Sequence, residues 1–155
     1  MLVGIILGSK SDFPIAKKAI EALKEFDVPF EMTVASAHRT PERVLDFVEN
    51  SGADIFIAIA GLSAALPGVV ASHTIKPVIG VPVSGKVNLD SILSIVQMPP
   101  GIPVGAVGLD MGENAAILAI EILSVSDENL KKKLQFYRKK MKDKITSDAE
   151  EITKL

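Results

Sequence analysis

Val3-Gly4-Ile5-Ile6-Leu7-Gly8-Ser9-Lys10-Ser11-Asp12 begins with an apolar run that does not alternate and ends in a turn of small and polar residues. Such a run reads as a strand covered on both faces, the habit of parallel sheets. Similar β-rich runs recur at Phe30–Val34, Ile55–Ala60, Val78–Val81 and Val104–Val107, so five strands are expected. The intervals carry helical signals. Past Asp12, the expected cap, Ile15, Ala19, Ala22, Leu23 and Phe26 recur at helical spacing, with Lys17, Lys18, Glu21 and Lys24 opposite and Pro14 in the first turn. Thr40 is expected to cap a second helix with Pro41 at its first position, and Val44, Leu45, Phe47 and Val48 turned inward until Gly52. Further helices are predicted near Leu66–Ser72, Leu89–Val96 and Glu113–Leu123, and a long final one over Asp127–Lys144.

Strands alternating with helices mean parallel βαβ units and an α/β fold. The expected organisation is one α/β domain over residues 1–123, with residues 124–155 as a helical extension of it. Ala115, Ala116 and Ala119 point to close backbone packing of the fifth helix. The final helix follows the last strand and is no crossover. Its stripe Leu130, Leu134, Tyr137 and Met141 suits packing on the body or on a neighbouring subunit.

The chain has 155 residues and is 48% hydrophobic, enough to bury a core without a metal or cross-link. It has no Cys, which removes disulfides, thiolate metal sites and cysteine nucleophiles. A reducing cytoplasm fits, and Met1–Leu7 lacks the basic start of a secretory signal. The uncharged stretches Ile55–Ile75 and Ser91–Leu109 are interrupted by Gly61, Pro67 and Pro99-Pro100-Gly101, so they read as buried core rather than membrane spans. Net charge is −5 over residues 1–123 and +3 over residues 124–155. The lysines from Lys131 to Lys144 read as a solvated helix face rather than a nucleic-acid surface.

In a parallel α/β sheet the ligand site lies beyond the carboxyl ends of the strands. The loop after the first strand, with Ser9, Ser11 and Asp12, offers backbone N–H groups and hydroxyls to a phosphate. Asp12 suits ribose hydroxyls better, because a carboxylate repels phosphate. A tight turn with a helix cap is the plain alternative. After the second strand, Ser36-Ala37-His38-Arg39-Thr40 sets an imidazole, able to move protons near neutral pH, beside a guanidinium that can pair with phosphate or carboxylate. The plain alternatives are a loop-bonding His and an Arg bridged to Glu42.

The third loop, Gly61-Leu62-Ser63-Ala64-Ala65-Leu66-Pro67-Gly68, is small enough to admit a planar ligand, or is simply compact packing. In the fourth, Pro82–Asn88, Lys86 reads as solvated. His73 reads as structural. With two His far apart and no HxxxH spacing, no metal site is expected. The dinucleotide fingerprint, the P-loop and the nucleophile elbow are all missing.

Gly8-Ser9-Lys10-Ser11-Asp12, Ser36-Ala37-His38-Arg39-Thr40-Pro41, Leu66-Pro67-Gly68, Pro77–Val83, and Leu89-Asp90-Ser91 through Ser94-Ile95-Val96-Gln97-Met98-Pro99 occur in that order. Together they closely resemble the N5-carboxyaminoimidazole ribonucleotide mutase family of purine biosynthesis, the catalytic-subunit type of phosphoribosylaminoimidazole carboxylase. The resemblance covers about residues 1–123. It implies a flavodoxin-like three-layer α/β/α fold, a homo-octamer with sites at subunit contacts, a cytoplasmic location and no metal or organic cofactor. It also implies functional coupling to a separate ATP-dependent synthetase that forms the carbamate.

By the same resemblance Ser9, Ser11, Asp12 and Arg39 hold the phosphoribosyl group. Ser36, Ala37, Gly61, Ser63, Leu66 and Pro67 surround the aminoimidazole, and His38 is the proton shuttle as CO2 moves from the exocyclic nitrogen to ring carbon C4. Three departures stand out. Ala65 replaces a His before Leu-Pro-Gly, Leu62 replaces a Gly, and the loops after Val83 and around Leu109–Glu113 are shorter, the latter without the usual Lys. A related branch carboxylates aminoimidazole ribonucleotide directly with CO2, and its loop reads Gly-Arg-Ser-Asn. The Leu-Pro-Gly and Ser-Ile-Val-Gln-Met-Pro segments favour the mutase branch. A non-catalytic nucleotide-binding module is the remaining alternative.

Overall fold

Residues 1–153 are described in a computed structural model, in which the chain forms two compact units, Met1–Ala119 and a second from Ile120 onward. In the first unit β1 (Val3–Leu7), β2 (Phe30–Val34), β3 (Ile55–Ala60), β4 (Val78–Pro82) and β5 (Gly105–Ala106) form an all-parallel sheet in the order β2-β1-β3-β4-β5. This is the flavodoxin-like doubly wound arrangement, with its switch point between β1 and β3. Every residue of β1, β3 and β4 is buried, as the uninterrupted apolar runs require. The edge strand β2 is not, and it leaves Met32 and Val34 exposed.

Between the strands run α1 (Phe13–Glu25), α2 (Pro41–Asn50), α3 (Leu66–Ser72), α4 (Asn88–Val96) and, after β5, α5 (Gly112–Leu123). Strand side chains alternate between the two faces. Ile6, Phe56, Ala58, Ala60 and Val78 share a core with Val44 and Val48 of α2, Leu66 and Val70 of α3 and Ile95 of α4. On the other face α1 packs on β1, and the start of α5 lies so close that a Cβ on Gly112 would fall 2.1 Å from the Ile15 carbonyl oxygen. A side chain does not fit there, so glycine is what lets the two helices touch.

The second unit holds the end of α5 and α6 (Glu128–Ile152). Asp127 caps α6 by accepting the Asn129 and Leu130 N–H groups at 2.8 and 2.9 Å. Arg138 Nη2 donates to Glu121 Oε1 at 2.7 Å. Leu130 and Leu134 are buried, Tyr137 is half-buried and Met141 is exposed. No helix among the described residues is long and apolar enough to cross a membrane.

Four local expectations need correction. Asp12 does not cap α1 with its side chain, because its carboxylate turns back to Ser9, the N-cap of a short 3₁₀ turn at Lys10–Asp12. Thr40 makes no cap bond either, since its hydroxyl accepts the Ser36 N–H at 2.9 Å. β5 is two residues long, because only Gly105 and Ala106 pair with Ile79 and Gly80 of β4, Pro103 ahead of them has no N–H to extend the ladder, and the Val107 N–H reaches the Gly80 carbonyl only at 3.3 Å. The last helix continues past Lys144 to Ile152, since residues 145–152 contain neither Gly nor Pro to stop it.

Candidate active site

The switch point delivers the loops after β1, β2 and β3 to one place. They enclose a cavity of about 590 Å³ lined by Gly8, Ser9, Ser11, Asp12, Ser36, Ala37, His38, Arg39, Ala60, Gly61, Leu62, Ser63 and Leu66. A neighbouring cavity of about 310 Å³ shares Gly8, Ser9, Ser36 and Arg39 and adds Lys10 and Arg43, with no carboxylate in its wall. Negative charge is concentrated on the first side, at Asp12, and positive charge on the second.

The first loop is organised by a capping box. Ser9 Oγ accepts the Ser11 N–H at 3.4 Å, and Asp12 Oδ2 accepts the Ser9 N–H at 3.0 Å. Ser11 Oγ lies 3.0 Å from Ser9 Oγ and 3.2 Å from Asp12 Oδ1. Asp12 is only 6% exposed, and burial raises its pKa above the ordinary value of 3.8. The hydrogen bonds from Ser11 and Ser9 and the charge of Arg39 pull the other way and do not cancel it.

The second loop is a turn closed by the Thr40 N–H on the Ser36 carbonyl at 2.9 Å. Arg39 crosses from it to the first loop. Its Nη2 donates to the Gly8 carbonyl at 3.0 Å, and its Nε donates to Ser36 Oγ at 3.2 Å. The guanidinium is therefore committed to the site and not to Glu42. His38, one residue earlier, is exposed on the cavity wall, where its ring nitrogens have no hydrogen-bond partner among the described residues.

The third loop is pinned from a distance. Ser63 takes a left-handed φ of 49°, and its N–H donates to Asp90 Oδ2 of α4 at 2.8 Å. Ala64 and Leu66 are buried behind it.

Ten of the sequence-predicted site residues thus meet in one cavity: His38, Ser9, Ser11, Asp12, Ser36, Ala37, Arg39, Gly61, Ser63 and Leu66. Pro67 does not line it and lies buried beside Gly80. Gly8, Ala60 and Leu62 also line it without having been given a site role; Gly8 and Leu62 stood in the quoted loops, and Ala60 is the last residue of β3. Asp90 stood in the quoted Leu89-Asp90-Ser91 segment, but nothing in the sequence paired it with the third loop, 27 residues away. His73 and Lys86 are exposed outside the cavity. No group of three or more His, Cys, Asp or Glu among the described residues is placed to hold a metal ion.

Fold and cavity define a doubly wound α/β protein with a cavity at the switch point, where such sheets place their ligands. The family model of AIR carboxylase matches residues 2–144, and the chain belongs to that family. It is 62% identical over 155 residues to the N5-carboxyaminoimidazole ribonucleotide mutase of Methanocaldococcus jannaschii, covering 99% of each chain. It is 44% identical to the mutase of Thermotoga maritima, covering 99% of this chain and 92% of that one. Among solved structures, Treponema denticola PurE superposes with a TM-score of 0.88 at 32% identity, covering 95% of each chain.

Proposed function

We propose that this chain converts N5-carboxyaminoimidazole ribonucleotide into 4-carboxyaminoimidazole ribonucleotide in purine biosynthesis. The observation that carries the reading is His38 on the wall of a cavity that also gathers Arg39 and the Ser9-Ser11-Asp12 loop, in a chain so similar to named mutases.

The division of labour follows from charge. The phosphate lies toward Arg39 and the Ser9 and Ser11 hydroxyls, on the side where Lys10 and Arg43 add positive charge. Asp12 takes ribose hydroxyls, for which a carboxylate is an acceptor. Ser36, Ala37, Gly61, Ser63 and Leu66 surround the aminoimidazole.

His38 then moves one proton twice. Protonating the exocyclic nitrogen breaks the N–C bond to the carboxylate, leaves the electron pair on nitrogen and frees CO2. The ring, now an electron-rich aminoimidazole, attacks CO2 through C4. The C4 proton passes to the imidazole that gave up its own, which restores the starting state. No electron is gained or lost and no phosphoryl group moves, so this sequence calls for no redox or phosphoryl-transfer cofactor. The proposed setting is a cytoplasmic homo-octamer supplied with the carbamate by an ATP-dependent synthetase, and α6 is proposed to be an oligomer contact.

The test compares product formation by the purified protein from the carbamate substrate and from aminoimidazole ribonucleotide plus bicarbonate, both without ATP. Efficient conversion of the carbamate alone is expected. Efficient use of only the second pair would make the protein a direct carboxylase and overturn the reading.

A further inference from the structure

At the amino end of β4, opposite the strand ends that carry the first cavity, the chain encloses another large one. Its volume is about 840 Å³, within the span of roughly 300–1,000 Å³ usual for small-molecule sites. It lies between the turn that joins α3 to β4 and the segment that joins α4 to β5, and it shares no residue with the cavity around His38. His73, Thr74, Ile75 and Lys76 come from the turn, and Ile102 and Pro103 from the segment.

The ionisable side chains in this wall are His73 and Lys76, with no carboxylate beside them. His73 ends α3, with its backbone N–H on the Val70 carbonyl at 3.1 Å and its ring exposed. Lys76 is half-buried, and its amine stands 5.8 Å from the centre of the Phe56 ring, which holds the side chain against the core. Neither the His73 ring nor the Lys76 amine has a hydrogen-bond or ion-pair partner among the described residues. The Thr74 hydroxyl oxygen accepts the Lys76 N–H at 3.1 Å and keeps its own proton to donate. Three donors therefore border one space. Much of the remaining wall is apolar: Ile75 is fully exposed, and Ile102 and Pro103 line the same cavity. A lone exposed isoleucine is ordinary on a surface, but donors and apolar groups around one cavity suit a ligand that has both an anionic and an apolar part.

We propose that this cavity binds a small organic phosphate of nucleoside monophosphate size, with the phosphate on His73, Lys76 and Thr74 and the base against Ile75 and Ile102. Lysine supplies a point charge, and an imidazole N–H donates in either protonation state. No carboxylate in the wall repels the anion. The site does not depend on the reaction assigned to the other cavity.

The chain has two histidines, one in each cavity, so one reagent reports on both. The full chain is treated with diethyl pyrocarbonate with and without AMP, and modification of His73 and of His38 is read separately by peptide mass spectrometry. AMP is expected to protect His73 saturably, and adenosine and inorganic phosphate, each carrying half of the recognised chemistry, to protect it much less. Lys76→Met keeps an apolar stem over Phe56 and is expected to raise the AMP concentration for half-protection roughly ten-fold, as loss of one charged hydrogen bond implies. Protection of His38 alone places AMP in the other cavity and overturns the inference. Equal protection of His73 by phosphate or by adenosine overturns the assignment of an organic phosphate, as does unchanged half-protection in Lys76→Met. A His73 that fails to react without AMP is already covered, which overturns the site. The comparison of the three ligands in wild type decides the matter even where Lys76→Met fails to fold.

Discussion

Arg39 Nη2 and the Gly8 carbonyl oxygen are 3.0 Å apart across a sequence separation of 31 residues, so the guanidinium of one strand-end loop closes onto the backbone of another. With Nε on Ser36 Oγ, the fork is fixed before any ligand arrives. A lysine at this position keeps the charge but cannot reach both acceptors. Arg39→Lys is therefore expected to lower kcat/KM about 10- to 100-fold, the equivalent of one charged hydrogen bond at about 1.5–3 kcal/mol, with most of the loss in KM. Steady-state kinetics checks this, and an unchanged KM would contradict it.

Asp12 makes folding stability depend on pH. Burial raises its folded-state pKa above 3.8, so the folded protein holds this proton more tightly than the unfolded chain does. The favourable contribution is full below 3.8 and is lost as pH rises through the raised folded value. At neutral pH the buried carboxylate thus opposes folding. Asp12→Asn keeps an acceptor for the Ser9 N–H without the charge, and is expected to be more stable than wild type at pH 7. Urea denaturation should show that gap narrowing as pH falls toward 4. A gap independent of pH would count against the assignment.

Asp90 holds a loop to which it contributes no lining group. Asp90→Ala frees the Ser63 N–H, and turnover is expected to fall about 10-fold or more, since small displacements of positioning groups are costly. Asp90→Asn retains an acceptor oxygen and should recover most of the loss. Equal activity in the two variants would show that the bond does not matter.

Gly112→Ala places a methyl carbon against the Ile15 backbone, where neither partner is the movable end of a side chain. A loss of about 3 kcal/mol is expected from overpacking, read as a lower denaturant midpoint at unchanged m-value. A midpoint within the error of wild type would mean that α1 and α5 separate easily.

Most of the fold was legible because its signals are local and repeated. β1, β3 and β4 announce themselves as unbroken apolar runs, and Pro41 and Gly52 bracket α2. The misreadings lie where one group had several partners to choose from. Asp12 and Thr40 sit where caps belong, yet Ser9 and Ser36 offered their carboxylate and hydroxyl nearer donors. The site was legible as a set of loops because strand ends in a parallel sheet converge by topology. What was not legible is how the loops are braced. Arg39 on Gly8 and Asp90 on Ser63 depend on tertiary placement, and no spacing in the chain encodes it.

The central claim is that His38 carries the proton of a carboxylate transfer in this cavity. It is tested most directly by measuring 4-carboxyaminoimidazole ribonucleotide formation from the carbamate substrate, without ATP, in wild type and His38→Asn, together with substrate-analogue affinity. Turnover is expected to fall by about 100-fold or more with affinity largely kept, as loss of a general acid–base group requires. Near-normal turnover in His38→Asn would contradict the account.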